Sequence, residues 1–123
     1  MKHILYIFLF LLAEVSLAQE IVVEESPEFP GGSIAIGKFI KQNFIYPQRA
    51  KDDGISGTCY ISFVIDTLGK IKDIKIIKGI KGCFECDEEA KRLISIMPNW
   101  KPTSVNGKKQ ECKINYPVKF QMM

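Results

Sequence analysis

The chain has 123 residues, of which 46% are apolar and 25% are charged, and its net charge is +3. This length supports one globular domain with one modest hydrophobic core and excludes a second domain of ordinary size. Nine glycines and six prolines are too few for a collagen-like or low-complexity chain.

The N-terminus has the three parts of a secretory signal peptide. A basic Lys2-His3 start precedes an unbroken apolar run over residues 4–13, and Ser16-Leu17-Ala18 places small residues where a signal peptidase cuts. A membrane anchor is the alternative, but a span needs about 20 apolar residues and would have to include Glu14. We therefore predict that residues 1–18 are a signal peptide and that the protein is exported.

Cleavage would remove His3, the only histidine. The mature chain then could not use a Ser-His-Asp or Cys-His arrangement, and it would lack the commonest ligand of a catalytic zinc. We predict a protein that is not an enzyme and has no metal, no cofactor, no small-molecule substrate and no nucleic-acid partner. A series of lysines is interpreted as a solvated strand face, with steering toward an acidic partner as the alternative: Lys70, Lys72, Lys75, Lys78 and Lys81.

Residues 19–29 show no periodicity and predict an extended leader, which places the domain at residues 30–123. Ser33 is the predicted N-cap of a first helix, which has apolar residues at helical spacing. Tyr46-Pro47 interrupts that helix and begins a short second helix, which Gly54 closes.

Two strands, a helix and a last strand are predicted next. Apolar and polar residues alternate over 58–65, and a turn over 66–69 leads to a returning strand over 71–77, which together predict a β-hairpin. Asp87 is the predicted N-cap of a helix that ends at Pro98. Alternation over 112–120 predicts the last strand.

This order predicts an α+β fold: a small three-stranded antiparallel sheet with two to three helices packed on one face. Pro117 cannot donate a ladder hydrogen bond, so the last strand belongs at an edge of the sheet. We therefore expect an open edge over residues 110–120, which a partner peptide could extend. Four aromatic residues are expected in or beside the core: Phe63, Phe84, Trp100 and Phe120.

An ordered set of short motifs resembles the TonB C-terminal domain family over roughly residues 29–121. No single motif is diagnostic, and it is their order that carries the resemblance. The motifs are Phe29-Pro30-Gly31-Gly32, Tyr46-Pro47 with Ala50, Gly54-Ile55 with Gly57, the hairpin over 63–71, Glu89-Ala90, the run over 97–102, Asn106-Gly107-Lys108 and Tyr116-Pro117.

The resemblance implies a periplasmic domain that captures the TonB box, a short peptide of an outer-membrane transporter, by strand addition to its last strand. An uncleaved N-terminus would instead tether the domain to the inner membrane. Tyr46 could equally serve in packing, and pairing of two edges into a homodimer is left open. The implied partner-binding residues are Asn43, Tyr46, Pro47, Gln110, Glu111, Lys113, Asn115, Pro117 and Lys119.

One feature departs from the family. Members that transduce energy have a membrane-spanning N-terminus and a long Pro-rich spacer, whereas here only residues 19–29 separate the expected cleavage site from the domain. A fully extended segment of this length reaches at most about 40 Å. The departure predicts a standalone domain that binds a transporter but does not itself transmit force.

Four cysteines in an exported chain this short suggest disulfides. Cys83 and Cys86 form a Cys-x-x-Cys motif before the expected Asp87 cap, so a periplasmic thiol/disulfide protein is the alternative function. Neighbouring acids would raise a thiol pKa, which favours a local disulfide or two spectator thiols. Cys59 and Cys112 each start a strand, so antiparallel pairing would keep them at opposite ends and unbonded.

Overall fold

The structure is a computed structural model, and it describes residues 23–122. In this range the chain forms three helices and six strands, in the order predicted except for additional short strands. The helices are α1 (Gly32–Asn43), α2 (Gln48–Asp52) and α3 (Phe84–Ser95), and the strands are β1 (Glu24–Glu25), β2 (Gly57–Ile65), β3 (Ile71–Lys78), β4 (Thr103–Val105), β5 (Lys108–Gln110) and β6 (Cys112–Phe120).

The main sheet has the strand order β3-β2-β6, and both pairings are antiparallel. Every second residue of the central strand β2 is fully buried, because one face of the sheet supports the helices and the core. Helix α3 contacts β2 and β3 on that face. The predicted α+β fold, with a three-stranded antiparallel sheet and helices on one face, is confirmed. The buried β2 residues are Cys59, Ile61, Phe63 and Ile65.

A second, smaller sheet has the order β1-β4-β5 and was not predicted. Its strands are two or three residues long, too short to show alternation in the sequence. A turn at Asn106-Gly107 joins β4 to β5, and both residues have positive φ angles, of 52° and 81°. Because β1 pairs with β4 and Phe29 is buried, part of the predicted leader packs onto the domain.

Both long helices begin earlier than their sequence caps suggested. Helix α1 begins at Gly32, after Gly31 with a φ of 86°, so Ser33 lies inside the helix and is not its cap. Helix α3 begins at Phe84, and the Cys83 sulfur accepts a hydrogen bond from the Cys86 amide at 3.1 Å. Since Cys83 caps the helix, Asp87 lies one turn further in, where its carboxylate accepts the Ile80 amide at 3.1 Å.

Three of the four aromatic residues assigned to the core are buried there, namely Phe63, Trp100 and Phe120. Phe84 is the exception, with 71% of its surface exposed. It is the first residue of α3, and the buried face of that helix is formed instead by Cys86, Ala90, Leu93 and Ile94. The prediction for Phe84 was therefore wrong, because the helix begins there rather than at Asp87.

The predicted signal peptide over residues 1–18 lies outside the described residues, as does the beginning of the leader. Among the helices between residues 23 and 122, none combines the length and the apolar character needed to cross a membrane.

Candidate functional site

Strand β6 forms one edge of the main sheet. It pairs with β2 along its whole length, from Gly57↔Phe120 to Ile65↔Cys112, and no other strand of the described chain pairs with its opposite side. Its nine residues span roughly 30 Å at about 3.4 Å per residue. The open edge expected from the sequence is therefore present, and it is long enough for an extended peptide.

The side chains of β6 alternate between the buried face and the exposed face of the sheet. Val118 and Phe120 are buried and Tyr116 is half-buried, whereas the residues between them are exposed. Pro117 lies directly opposite Tyr60 in the ladder between β6 and β2. Because proline has no N–H, its nitrogen belongs on the side without a partner strand. At every second position from Pro117 the residues are also exposed, and they lie on the same face of the strand: Lys113, Asn115 and Lys119.

The edge begins later than the sequence indicated. Gln110 belongs to β5, where it pairs with Thr103 in the smaller sheet. Glu111 links the two sheets, and its carboxylate forms an ion pair with the Lys72 ammonium. The open edge therefore begins at Cys112 and not at residue 110 as expected, because the chain crosses between the two sheets at Glu111.

The Tyr-Pro motif lies beside the end of β6. The Tyr46 hydroxyl donates a hydrogen bond to the Ile55 carbonyl oxygen. The Tyr46 ring packs edge-on against Phe44, with centroids 5.7 Å apart, and against Phe120, at 5.8 Å. Pro47 is the cap residue of α2. Tyr46 therefore has a packing role, and it fixes the motif next to the last residue of the edge strand.

A buried carboxylate holds the segment before this motif. Glu89 is 8% exposed, and its Oε2 accepts the Ile45 amide at 2.7 Å. Arg92 donates to Glu89 from Nε at 2.6 Å and from Nη2 at 2.9 Å, and Nη2 also donates to the Asn43 carbonyl at 2.7 Å. The hydrogen bond and charge of Glu89 raise the pKa of the Arg92 guanidinium. Helix α3 thus positions residues 43–45.

The sequence did not reveal this network. With Asp87 as the expected N-cap, Glu88 and Glu89 would lie in the first helical turn, where acids interact favourably with the helix dipole. The structure begins α3 at Phe84, so Glu89 lies in the second turn and faces inward. The spacing of Glu89 and Arg92, three residues apart on a helix, was the available signal. Nothing local to α3 showed that the partner would be the Ile45 amide.

Two open grooves border the Tyr-Pro motif. One, of about 340 Å³, runs between this motif and α3, and exposed Ile45 and Phe84 form its apolar walls. The other, of about 600 Å³, lies between Tyr46 and the chain after β6, at Gln121 and Met122. The second groove joins the two regions that the sequence singled out, since it touches both the motif and the end of the edge strand.

The cysteines fall into two classes. Cys83 and Cys86 form a disulfide with a Cα–Cα distance of 5.2 Å, and both residues are almost fully buried. Exchange requires a thiolate to reach a sulfur atom, so this burial argues for a structural link rather than a redox site. Cys59 pairs with Val118 and Cys112 with Ile65, so the two free thiols lie at opposite ends of their strands, as predicted.

Comparisons with known proteins agree with this architecture. The family model for the Gram-negative bacterial TonB protein C-terminal matches residues 42–122. The fold is similar to an NMR solution structure of the Helicobacter pylori TonB C-terminal domain, residues 179–285, with a TM-score of 0.54 and 22% identity, over 72% of this chain and 78% of that one. A second such structure, residues 194–285, has a TM-score of 0.49 and 22% identity, over 72% and 90%. Curated proteins gave no match. Because the family model covers most of the chain, this protein belongs to the TonB C-terminal domain family.

Proposed function

We propose that this protein acts in the periplasm as a peptide-binding module for outer-membrane transporters, and that the TonB box of a transporter adds as a strand along β6. The observation that carries the proposal is the open side of β6, which no described strand occupies. Unpaired backbone donors and acceptors at a sheet edge are satisfied when an extended peptide joins the sheet. Membership of a transport-coupling family supports the same role.

The edge has a defined set of backbone groups for this purpose. With the Pro117 nitrogen on the open side, the amides of Lys113, Asn115 and Lys119 share that side, and each is available to a guest strand. The amides of Ile114 and Tyr116 then face β2 and are already used in the ladder. A guest strand would therefore meet donors at every second residue, with one gap at the proline.

The flanking residues have supporting roles in this proposal. Tyr46 would border the end of the guest strand, at the groove beside Phe120, and Pro47 lines the neighbouring groove between the motif and α3. Asn43 lies one turn away, and its side-chain amide donates to the Phe39 carbonyl at 2.8 Å, so it would help to shape the motif. Gln110 and Glu111 would meet only the part of a peptide that extends past Cys112.

A pair of substitutions at one edge residue tests the proposal. Asn115→Pro removes an outward-facing amide and adds a ring on the open side, whereas Asn115→Ala removes only the side chain. The probe is a fluorescent synthetic TonB-box peptide, and the readout is anisotropy. One lost backbone hydrogen bond, at roughly 1 kcal/mol, corresponds to about fivefold weaker binding, and the ring clash increases that loss. Asn115→Ala should bind almost as tightly as the natural sequence.

Hydrogen exchange of the same samples separates edge binding from loss of folding. In the free protein the amides of Lys113, Asn115 and Lys119 should exchange quickly, while those of Ile114 and Tyr116 should be protected. The peptide should protect the first group and leave the second unchanged. Equal peptide affinity for Asn115→Pro and Asn115→Ala, with both proteins folded, would show that β6 is not the binding edge.

A further inference from the structure

Strand β3 carries Lys72, Lys75 and Lys78 at intervals of three residues. In a regular strand this spacing would put Lys75 on the opposite face from the other two. The register against β2 shows one extra β3 residue in each interval, Asp73 or Ile74 in the first and Ile77 in the second. These bulges bring all three lysines onto one face. The observed partners are Val64↔Lys72, Ser62↔Lys75 and Tyr60↔Lys78.

Strand β6 adds two lysines to the same face from the other side of β2. Lys113 is opposite Val64, and Lys119 is opposite Thr58. Lys72 and Lys113 therefore flank Val64 across three neighbouring strands, about 10 Å apart at strand spacings of about 4.8 Å. This surface points away from the helices, which cover the other face. We call it the lysine face: Lys72, Lys75, Lys78, Lys113 and Lys119.

The charge of the lysine face is largely unneutralised. Lys72 pairs with Glu111, but the other four lysines form no ion pair with any residue between 23 and 122. Asp73 is the one acid within β3. The three helices carry six basic and five acidic residues, so their charges nearly cancel. The lysine face therefore has a net positive charge, whereas the helices are close to neutral.

The lysine face is broad and includes exposed apolar surface on its middle strand. Lys119 borders a depression of about 240 Å³ at the end of β6. Tyr60 stands between Lys78 and Pro117 and is 45% exposed, and Ile77 beside it is 55% exposed. A flat cationic surface with an exposed aromatic residue suits an extended anionic plane better than a ligand that needs a cleft.

We propose that the lysine face binds the phosphate headgroups of an anionic lipid bilayer. Lysine ammonium groups act as mobile point charges, which suit a diffuse layer of phosphates. Each such residue near an anionic membrane strengthens binding by about fivefold. Tyr60 lies on the middle strand of the face, and tyrosine is enriched at the boundary between headgroups and water. Docking in this way would lay the sheet flat against the membrane.

The test measures partitioning of the full chain into vesicles of phosphatidylcholine alone and of phosphatidylcholine with phosphatidylglycerol. The N-terminal run is the same in every variant, so a change in the ratio between the two vesicle types reports on the substituted lysines. Lys75→Gln/Lys78→Gln removes two charges from the face without touching β6, so its result is independent of the strand-addition test. Lys38→Gln/Lys41→Gln removes two exposed charges from α1 and serves as the matched control.

We expect the natural sequence to prefer the anionic vesicles, and added salt to weaken that preference. The β3 double variant should lose about 25-fold in the ratio, which is two factors of about five, and the α1 variant should change little. Equal partitioning into both vesicle types, or equal losses in the two variants, would overturn the proposal. Binding to polyglutamate without binding to anionic vesicles would also overturn it, and would assign the face to an acidic polypeptide.

Discussion

The Glu89 carboxylate of α3 should be the side chain whose loss most disturbs the segment that carries the Tyr-Pro motif. It accepts hydrogen bonds from the Ile45 amide and from two nitrogens of Arg92. In Glu89→Ala the Ile45 amide loses its acceptor and Arg92 loses its counterion. Both losses fall at the junction between α3 and the chain that enters α2, so stability and the shape of the motif should change together.

The size of the effect follows from the exposure of the two partners. Breaking a buried ion pair by removing one member costs about 3–5 kcal/mol. The Glu89 side chain is 7% exposed, but the Arg92 side chain is 39% exposed, so water can solvate the abandoned guanidinium. We therefore expect Glu89→Ala to lower the free energy of unfolding by about 2–3 kcal/mol. Glu89→Gln keeps one acceptor oxygen and should cost about 1 kcal/mol.

Glu88→Ala is the matched control, because it removes a glutamate carboxylate from the preceding position of the same helix. Glu88 pairs with Lys91 at 3.3 Å, and both side chains are more than two-fifths exposed. An exposed pair of this kind contributes about 0.5 kcal/mol or less. Urea unfolding gives the free energies, provided that the m-value is unchanged. Hydrogen exchange of the Ile45 amide gives the local effect.

Two results would contradict this role of the Glu89 carboxylate. The first is a loss for Glu89→Ala no larger than the loss for Glu88→Ala, which would mean that the buried carboxylate contributes nothing beyond an exposed one. The second is an Ile45 amide that stays as protected in Glu89→Ala as in the natural sequence. Either outcome would show that another contact holds the segment before the Tyr-Pro motif.

Three further measurements follow from the structure. A count of free thiols in denaturant should find two, from Cys59 and Cys112, and a count after reduction should find four. A count of zero before reduction would contradict the strand register. Gly69→Ala should lower the free energy of unfolding by about 3 kcal/mol, because the φ of Gly69 is 84° and a Cβ would overlap the Trp100 carbonyl. Gly107→Ala, where a Cβ would meet open space, should lower it by only about 1 kcal/mol. Burial, and after it Asp87, raise the pKa of Cys59 from 9.0 to about 12. The stability that this protonated thiol contributes should therefore be complete below pH 9 and be lost as the pH rises toward 12. If Cys59→Ala lost stability over this pH range as the natural sequence does, the prediction would be wrong.

Local patterns in the sequence were sufficient to predict the main sheet. Alternation over 58–65 and 112–120 predicted the strands that became β2 and β6, because a half-buried strand repeats every two residues whatever its partner. Pro117 predicted the edge from one missing N–H, which is a property of the residue itself. The family resemblance rested on the same local motifs, and the match over residues 42–122 confirmed it.

Which distant groups meet depends on the three-dimensional fold. The first residues of the described chain form β1 because Val105 and Ser104 are there to pair with them. Gln110 lies in the smaller sheet because its partner is Thr103. Glu89 faces the Ile45 amide, across 44 positions of the chain. These contacts depend on long-range pairing, and neither periodicity nor cap preference describes such pairing.

The lysines of β3 show the same division in one element. The sequence determined their number and their spacing of three, which a regular strand would have split between two faces. The register against β2 decided that two bulges would bring them together on the face opposite the helices. Ile71, Ile74 and Ile76 pack against the core, which fixes one face of β3. The extra residues are then accommodated by local changes in the backbone.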